Sequence, residues 1–261
     1  MLLIGVATKY LSKGHTMCAY FVIVPILIII ALLPWFIYFV YKTRLESKYV
    51  DPFMMGAIGW FLAMVARFPL LVFAVLSFGI VVAGIVSAIS AGVFEEVFRY
   101  YFSKRYIKLP ITNGKVISLG LGWGLMEAFM TFCLSLVGLL IIIKFNIDIP
   151  WLEEIPTLRE LMILGLLGAF ERLVTTSLHV GLTIFIIFAQ HDKKWLYFAI
   201  LYHFLVDIMA VIYYVLHFGI YLLEATILAY AVILYFLANL FGRIDIKAFF
   251  SDMNAEFRPE I

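Results

Sequence analysis

Seven long apolar runs dominate this 261-residue sequence and leave it few folds to choose from. Each run has about 20 residues or more, the length that a helix needs to cross the hydrocarbon core of a bilayer. Within that core the backbone must satisfy its own hydrogen bonds, so such segments cross as helices. The runs lie at about residues 17–41, 53–76, 79–102, 115–143, 161–189, 195–217 and 219–241. The sequence therefore predicts an all-α polytopic membrane bundle of about seven transmembrane helices.

The overall composition supports this fold class and excludes one kind of partner. The chain is 65% hydrophobic and 14% charged, with a mean hydropathy of +1.08, which is too much apolar surface for a soluble domain to bury. A net charge of only +2 gives no basic field for nucleic acid. Cys18 and Cys133 share no metal-ligand spacing. We expect the lipid bilayer as a partner, one transmembrane domain over residues 1–241, and a short polar cytoplasmic tail over residues 242–261.

The loop charges predict the orientation of the bundle. With seven spans, twelve lysines and arginines fall on one side and four on the other. The richer side holds Lys42, Arg44, Lys48, Lys104, Arg105, Lys108, Lys115, Lys193, Lys194, Arg243, Lys247 and Arg258. The poorer side holds Lys9, Lys13, Lys144 and Arg159. Because the richer side is normally cytoplasmic, we expect the N-terminus and the acidic loop at 144–160 outside, and the C-terminus inside.

The first apolar run and its surroundings bear on targeting. No small-residue cleavage site follows that run, so we expect a retained anchor and not a cleaved signal peptide. An integral protein of this kind fits the plasma membrane of a prokaryote.

Glu95-Glu96-Val97-Phe98-Arg99 places three charges inside the third span. Each charge at that depth costs about 2.5–3.5 kcal/mol on insertion scales, so such residues usually have partners and a function. On a helix, Arg99 is i,i+4 from Glu95 and i,i+3 from Glu96, and it can pair well with only one of them. The i,i+4 geometry, with the glutamate on the N-terminal side, favours Glu95 as the partner of Arg99, and the glutamate that is left unpaired can act as a general base. The alternative interpretation is a buried ion pair that only holds the bundle together.

Further ionisable residues lie at a similar depth on other spans. At about 1.5 Å per residue from the cytoplasmic ends, Glu127, His179, His203 and Asp207 lie about 12–18 Å deep and the glutamate pair about 10 Å. His203 and Asp207 are i,i+4, so the carboxylate can fix the imidazole tautomer or share a metal with it. Arg172 is seven residues before His179, on nearly the same face. Each histidine alone is more commonly an interhelical hydrogen-bonding group, but the shared layer predicts a site.

The ordered set of motifs resembles a known family. The set comprises Glu95-Glu96-x-x-Arg99, Gly-Trp-Gly-Leu-Met-Glu127, Glu171-Arg172 ahead of His179, and His203-x-x-x-Asp207. It resembles the YhfC-type intramembrane peptidases, which are related to the PrsW proteases and to the CAAX and bacteriocin-processing (CPBP) membrane proteases. The resemblance covers about residues 60–215. It implies a cavity facing the cytoplasm, in which Glu95 or Glu96 activates water and the two histidines polarise the scissile carbonyl. Because the first glutamate is usually taken as the catalytic one in this family, the resemblance implies that Glu95 is the base and that Arg99 pairs with Glu96.

The resemblance leaves the use of a metal open. Glu95, His179 and His203 would supply the three ligands that a catalytic zinc commonly has, with one position left for water. Without a metal, the imidazoles would meet the developing oxyanion directly. The substrate would be a membrane protein or a lipidated peptide.

Three departures from the related families limit what can be carried over. Arg99 follows Glu95 by four residues, whereas the CAAX enzymes have a spacing of five. Thr175 stands where those enzymes have phenylalanine, and Trp123 stands where relatives often have histidine. The CAAX specificity therefore does not transfer.

A proton-coupled transporter, or a haem- or metal-binding membrane protein, would use the same layer of Glu, His and Asp.

Overall fold

The computed structural model describes residues 2–107, 109–145, 147 and 156–257, with side chains from Cys18 onward. Over these residues the chain is almost entirely helical. The α-helices are α1 Leu2–Thr43, α2 Ser47–Phe78, α3 Ile80–Ser90, α4 Glu96–Tyr106, α5 Asn113–Ala128, α6 Leu134–Phe145, α7 Leu158–Phe188, α8 Lys194–Leu216, α9 Ile220–Gly242 and α10 Ile246–Ser251. Two π-helical turns, Ala91–Glu95 and Phe129–Cys133, connect α3 to α4 and α5 to α6.

The seven predicted membrane spans are confirmed. Seven helical segments are long and apolar enough to cross a membrane. They are Cys18–Thr43, Ser47–Phe78, Ile80–Tyr106, Asn113–Phe145, Leu158–Phe188, Lys194–Leu216 and Ile220–Gly242. The third and fourth each contain one of the π-helical turns. Most of the predicted outer loop at 144–160 lies outside the described residues, as do Lys108 and Arg258. The protein is an integral membrane protein with an all-α fold.

The chain divides into two compact units, the first of which is the smaller. It comprises Met1–Pro34 and Ala128–Leu173. A small apolar core holds this unit together, in which Tyr20, Val24, Leu27, Leu136 and Leu161 are buried.

The second unit comprises Trp35–Glu127 and Val174–Ile261 and contains the larger core. In it, α5 approaches α2 and α7 at glycine positions, as its glycine-rich start allows. A Cβ atom on Gly122 would lie 1.9 Å from the Phe53 carbonyl oxygen of α2. A Cβ atom on Gly120 would lie 2.6 Å from Val180 Cα of α7. These backbone contacts hold the polar residues of α5 close to both neighbouring helices.

The C-terminal segment packs on the second unit more closely than a simple surface tail would. Phe249, Met253 and Phe257 are buried. The Tyr38 hydroxyl donates to the Phe250 carbonyl at 2.8 Å, and the Phe257 amide donates to the Ile111 carbonyl at 2.8 Å. The polar residues of this segment predict a surface tail, whereas its buried aromatic residues decide how it packs.

A candidate active site in the second unit

The first π-helical turn brings both glutamates inside the bundle. This turn, Ala91–Glu95, ends directly before α4, and π-helical turns often occur at functional sites. Gly92 within it lies against α8, where a Cβ atom would be 2.6 Å from the Ile200 carbonyl oxygen. Glu95 is 2% exposed and Glu96 is fully buried. The chain therefore places two adjacent carboxylates where water cannot solvate them.

Glu96 sits in a set of closely matched contacts. Arg99 Nη1 lies 3.1 Å from both Glu96 carboxylate oxygens, so the arginine takes its i,i+3 partner and not the i,i+4 partner that helical spacing favours. The same guanidinium lies 4.6 Å from the centre of the Trp123 ring, a cation–π contact. On α8, His203 Nδ1 lies 2.7 Å from Glu96 Oε1. Glu96 is thus held by a cation and an imidazole from two helices.

Glu95 has a different set of neighbours. Trp123 Nε1 donates to Glu95 Oε2 at 3.1 Å, and Arg67 Nη2 of α2 lies 3.5 Å from Glu95 Oε1. His203 Nε2 lies 4.0 Å from Glu95 Oε2 and 3.7 Å from Asp207 Oδ2. These last separations are too long for direct hydrogen bonds. Glu95 is oriented by two donors but does not contact His203 directly.

The hydrogen-bond partners assign opposite tautomers to the two histidines. Arg99 Nη2 lies 2.7 Å from His179 Nδ1, and because a guanidinium can only donate, Nδ1 must accept. The proton of a neutral His179 is then on Nε2, which donates to Glu127 Oε2 at 2.6 Å. Glu96 accepts from Arg99, so it accepts from His203 Nδ1 as well. Nε2 of a neutral His203 therefore carries a lone pair.

Most of the predicted site residues come together in the second unit. The two imidazole rings are 5.6 Å apart between their centres. The residues joined by the contacts above are Glu95, Glu96, Arg99, Glu127, His179, His203 and Asp207. Arg172, predicted as a supporting residue, belongs instead to the first unit, where it pairs with Glu171 and donates to Thr131 Oγ1 at 3.3 Å. The seven-residue spacing of Arg172 and His179 places both on nearly the same face of α7, but it does not reveal that they belong to different units.

Two members of the cluster were not predicted as site residues. In the sequence Trp123 stands out only as a departure from related families, yet its indole N–H orients Glu95. Arg67 is 8% exposed and two residues before Pro69 on α2. The sequence indicates Arg67 only as a structural charge beside Pro69 that can pair with a carboxylate of the site, because a charge inside a span needs a partner. In the structure that carboxylate is Glu95.

The charge balance and a small cavity describe what the cluster can hold. Its four carboxylates, from Glu95, Glu96, Glu127 and Asp207, face two guanidiniums, so with neutral histidines the formal charge is −2. A buried excess of this size favours binding of a divalent cation. Next to it is a cavity of about 20 Å³, enough for one water molecule or ion. The cavity is lined by Glu127, Thr175, Leu178, His179, Leu182, His203, Val206 and Asp207.

The fold and the cluster define a polytopic membrane protein with paired carboxylates and histidines buried among its spans. The chain belongs to the family described as the YhfC intramembrane metalloprotease, whose model matches residues 28–228. It is similar to the membrane protein YhfC of Bacillus subtilis (strain 168), with 27% identity over 147 residues. That match covers 50% of this chain and 57% of the relative, less than two thirds of the relative's length. No solved structure matches the chain.

Proposed function

We propose that this protein is an intramembrane protease that hydrolyses a peptide bond of a membrane-embedded or membrane-associated protein. The observation that carries the proposal is the state of Glu95. Its carboxylate is buried, oriented by Trp123 and Arg67, and lies 4.0 Å from Nε2 of His203, a residue that lines a water-sized cavity. A buried, oriented carboxylate within reach of a water molecule is the arrangement of a general base. The family description supports the same class of reaction.

The proposed reaction begins with a water molecule in the cavity. Glu95 takes one proton from the water while the water oxygen attacks the carbonyl carbon of the peptide bond. This attack forms a tetrahedral intermediate with a negatively charged oxygen. Glu95 then delivers that proton to the nitrogen, the C–N bond breaks, and a carboxylic acid and an amine leave. The acid loses its proton to solvent. Carboxylates serve both as base and as acid in such sequences.

An N–H group available for the negatively charged oxygen is Arg67 Nη1, which is buried and has no hydrogen-bond partner among the residues that the structure describes. His179 Nε2–H, by contrast, already donates to Glu127 at 2.6 Å. Donors placed in a water-excluded site stabilise a developing charge strongly. We assign Arg67 to this role.

The metal named in the family description fits the donor set and the charge of the cluster. Glu95 and the neighbouring imidazole and carboxylate groups would hold it. When bound, a divalent cation such as zinc lowers the pKa of its water and polarises a carbonyl. The roles of Arg67, Trp123 and Arg99 as donors and orienting groups are the same with or without the cation.

The same contacts disfavour a haem-binding function. Both ring nitrogens of His179 are engaged, one by Arg99 and one by Glu127, so neither offers an axial ligand. The family description names a protease and gives no support to a proton-coupled transporter. We therefore prefer hydrolysis.

The proposal is tested in cells and then with purified protein. Membranes from cells that produce the wild type, the Glu95→Gln variant or the Glu171→Gln control are compared for new N-termini of membrane proteins. Glu171 is a glutamate of the same helix as His179, but it pairs with Arg172 in the first unit. We expect fragments with the wild type and the control that are missing with Glu95→Gln. Equal fragments in all three, at equal protein levels, would refute the proposal.

The proposal includes the orientation expected from the loop charges, with the C-terminus and the access to the site on the cytoplasmic side. Single cysteines at Lys104 and at Glu154, in a background without Cys18 and Cys133, are labelled with an impermeant reagent from outside. We expect labelling at position 154 and none at 104. The reverse pattern would invert the assigned topology.

A further inference from the structure

We propose that Glu95, His203 and Asp207 form a binding site for one divalent cation, and that His179 stays outside its set of ligands. Glu95 would bind the ion through Oε2, the oxygen nearer His203, so that Oε1 is the oxygen left to take the proton of the water. The inference rests on the proposed function for the use of the ion in hydrolysis, although the binding itself can be tested alone. It differs from the set expected from the sequence, Glu95, His179 and His203, in exchanging one histidine for Asp207.

The first step of the argument is the free lone pair on His203. Glu96 accepts from Nδ1 on one side of the ring, so Nε2 is free to act as a ligand on the other side. A carboxylate on the far nitrogen of a histidine is the usual outer contact of metal-ligating histidines, because it fixes the tautomer and raises the basicity of the ligand. His203 therefore has the proton arrangement of a metal ligand.

The second step is the spacing of the acceptors around Nε2. Glu95 Oε2 lies 4.0 Å and Asp207 Oδ2 lies 3.7 Å from this atom. A proton placed between them would be too far from either carboxylate for a hydrogen bond. Two ligands at about 2.1 Å from a tetrahedral zinc lie about 3.4 Å apart, a value near both of these separations. The separations between His203 Nε2 and the two carboxylates are therefore too wide for a shared proton and suit a larger cation.

The third step concerns the competing set. Ligand atoms of Glu95, Glu127 and His179 lie within 4.8 Å of one another. However, Arg99 donates to His179 Nδ1, so Nε2 keeps its proton and has no lone pair for a metal. The 2.6 Å contact from Nε2 to Glu127 is a hydrogen bond, shorter than the spacing of two ligands on one ion. The positions of the ring protons thus favour His203 over His179 as the metal ligand.

The fourth step is access. His203 and Asp207 line the cavity of about 20 Å³, and the Asp207 side chain is 37% exposed. A catalytic metal needs one coordination position for water, and this cavity would provide it. One imidazole and two carboxylates are ligands suited to zinc and other divalent transition metals.

Metal affinity is measured on the purified protein, stripped with a chelator and titrated with zinc against a chromophoric competitor. We expect one zinc per chain in the wild type, and a loss of affinity of more than about 100-fold for His203→Gln and Asp207→Asn. His179→Gln and Glu127→Gln should stay close to the wild type. His191→Gln and Glu171→Gln are the matched controls, and each variant is checked for monodisperse elution.

A second experiment looks for a new spectroscopic band, so that the identification of the ligands does not depend only on variants that lose metal binding. In Asp207→Cys loaded with cobalt, a ligating thiolate should add a charge-transfer band that the wild type, with Cys18 and Cys133 intact, does not show. Glu127→Cys should not add it. A band with Glu127→Cys only, or zinc lost with His179→Gln but retained with His203→Gln, would overturn the inference in favour of the competing set.

The remaining outcomes separate this inference from the proposed function. A wild type that binds no zinc but still cleaves would refute the metal site and leave the protease intact. A wild type that binds zinc through His203 and Asp207 but cleaves nothing would retain the site and refute the protease.

Discussion

The buried cluster has two halves that use the same residue types in different ways. The Arg99 half consists of Glu96, Arg99 and His179, and the Asp207 half consists of Glu95, His203 Nε2 and Asp207. In the first half the charged and polar groups contact one another at 2.7–3.1 Å, with donors facing acceptors. In the second half His203 Nε2 lies 3.7 Å from an Asp207 oxygen and 4.0 Å from a Glu95 oxygen, and no donor lies between these acceptors among the described residues. We therefore propose that the matched half is structural and that the unmatched half binds water, an ion or substrate.

Two residues link the halves and transmit the order of one to the other. Trp123 stacks on Arg99 and donates to Glu95. His203 uses Nδ1 in the first half and presents Nε2 to the second. The lone pair that faces Asp207 therefore exists because Glu96, held by Arg99, accepts from the other nitrogen.

The largest effect is expected where the matched half is broken. Arg99→Met leaves Glu96 buried without its cation, which typically costs about 3–5 kcal/mol of unfolding free energy. Reversible unfolding in mixed micelles measures this loss. Arg172→Met is the control, because Arg172 also pairs with a glutamate but its side chain is 13% exposed, whereas that of Arg99 is fully buried. A loss under about 1 kcal/mol for Arg99→Met would mean that the first half is not structural. The double variant Arg99→Met, Glu96→Gln should recover part of the loss.

The two glutamates should differ in kind. Glu95→Gln removes the general base, so we expect turnover to fall about 10²–10⁴-fold with little change in stability. Glu96→Gln should mainly lower stability, because it removes the partner of Arg99. Turnover of a substrate identified in cells and the unfolding free energy are measured for both. If Glu95→Gln remains active while Glu96→Gln is inactive at normal protein levels, the assignment of the base is reversed.

Arg67 tests whether the unmatched half has its own donor. Arg67→Met removes the unused Nη1 donor and the ion pair with Glu95, and should lower kcat about 10²–10³-fold with a smaller effect on KM. Arg67→Lys retains the positive charge but not the planar set of guanidinium N–H donors, so its kcat should lie between those of Arg67→Met and the wild type. A change confined to KM would contradict a role at the developing oxyanion.

The smallest effect is expected at the link between the halves. Trp123→Phe keeps an aromatic ring for Arg99 but removes the donor to Glu95, a bond to a charged group worth about 1.5–3 kcal/mol, so kcat should fall about 10- to 100-fold. Trp60→Phe is a matched control, because Trp60 Nε1 is buried without a partner among the described residues. Equal activities for both variants would show that the donor does not orient Glu95.

The sequence by itself determined the number and positions of the spans. They follow from a local property, since the length of an apolar run does not depend on neighbouring helices. It also indicated Glu95, Glu96, His179, His203 and Asp207 as members of one site. Seven spans and this gathering of residues agree with the structure.

The tertiary structure decided which groups meet and where each proton lies. Helical spacing allowed Arg99 either glutamate, and only the packed bundle selects Glu96. The tautomer of His179 depends on Arg99, 80 residues away in the chain, and that of His203 on Glu96, 107 residues away. The donors to Glu95 come from Arg67 and Trp123 on two other helices. Hydrogen bonds act over about 3 Å, so a sequence pattern within one helix cannot specify a partner that another helix supplies.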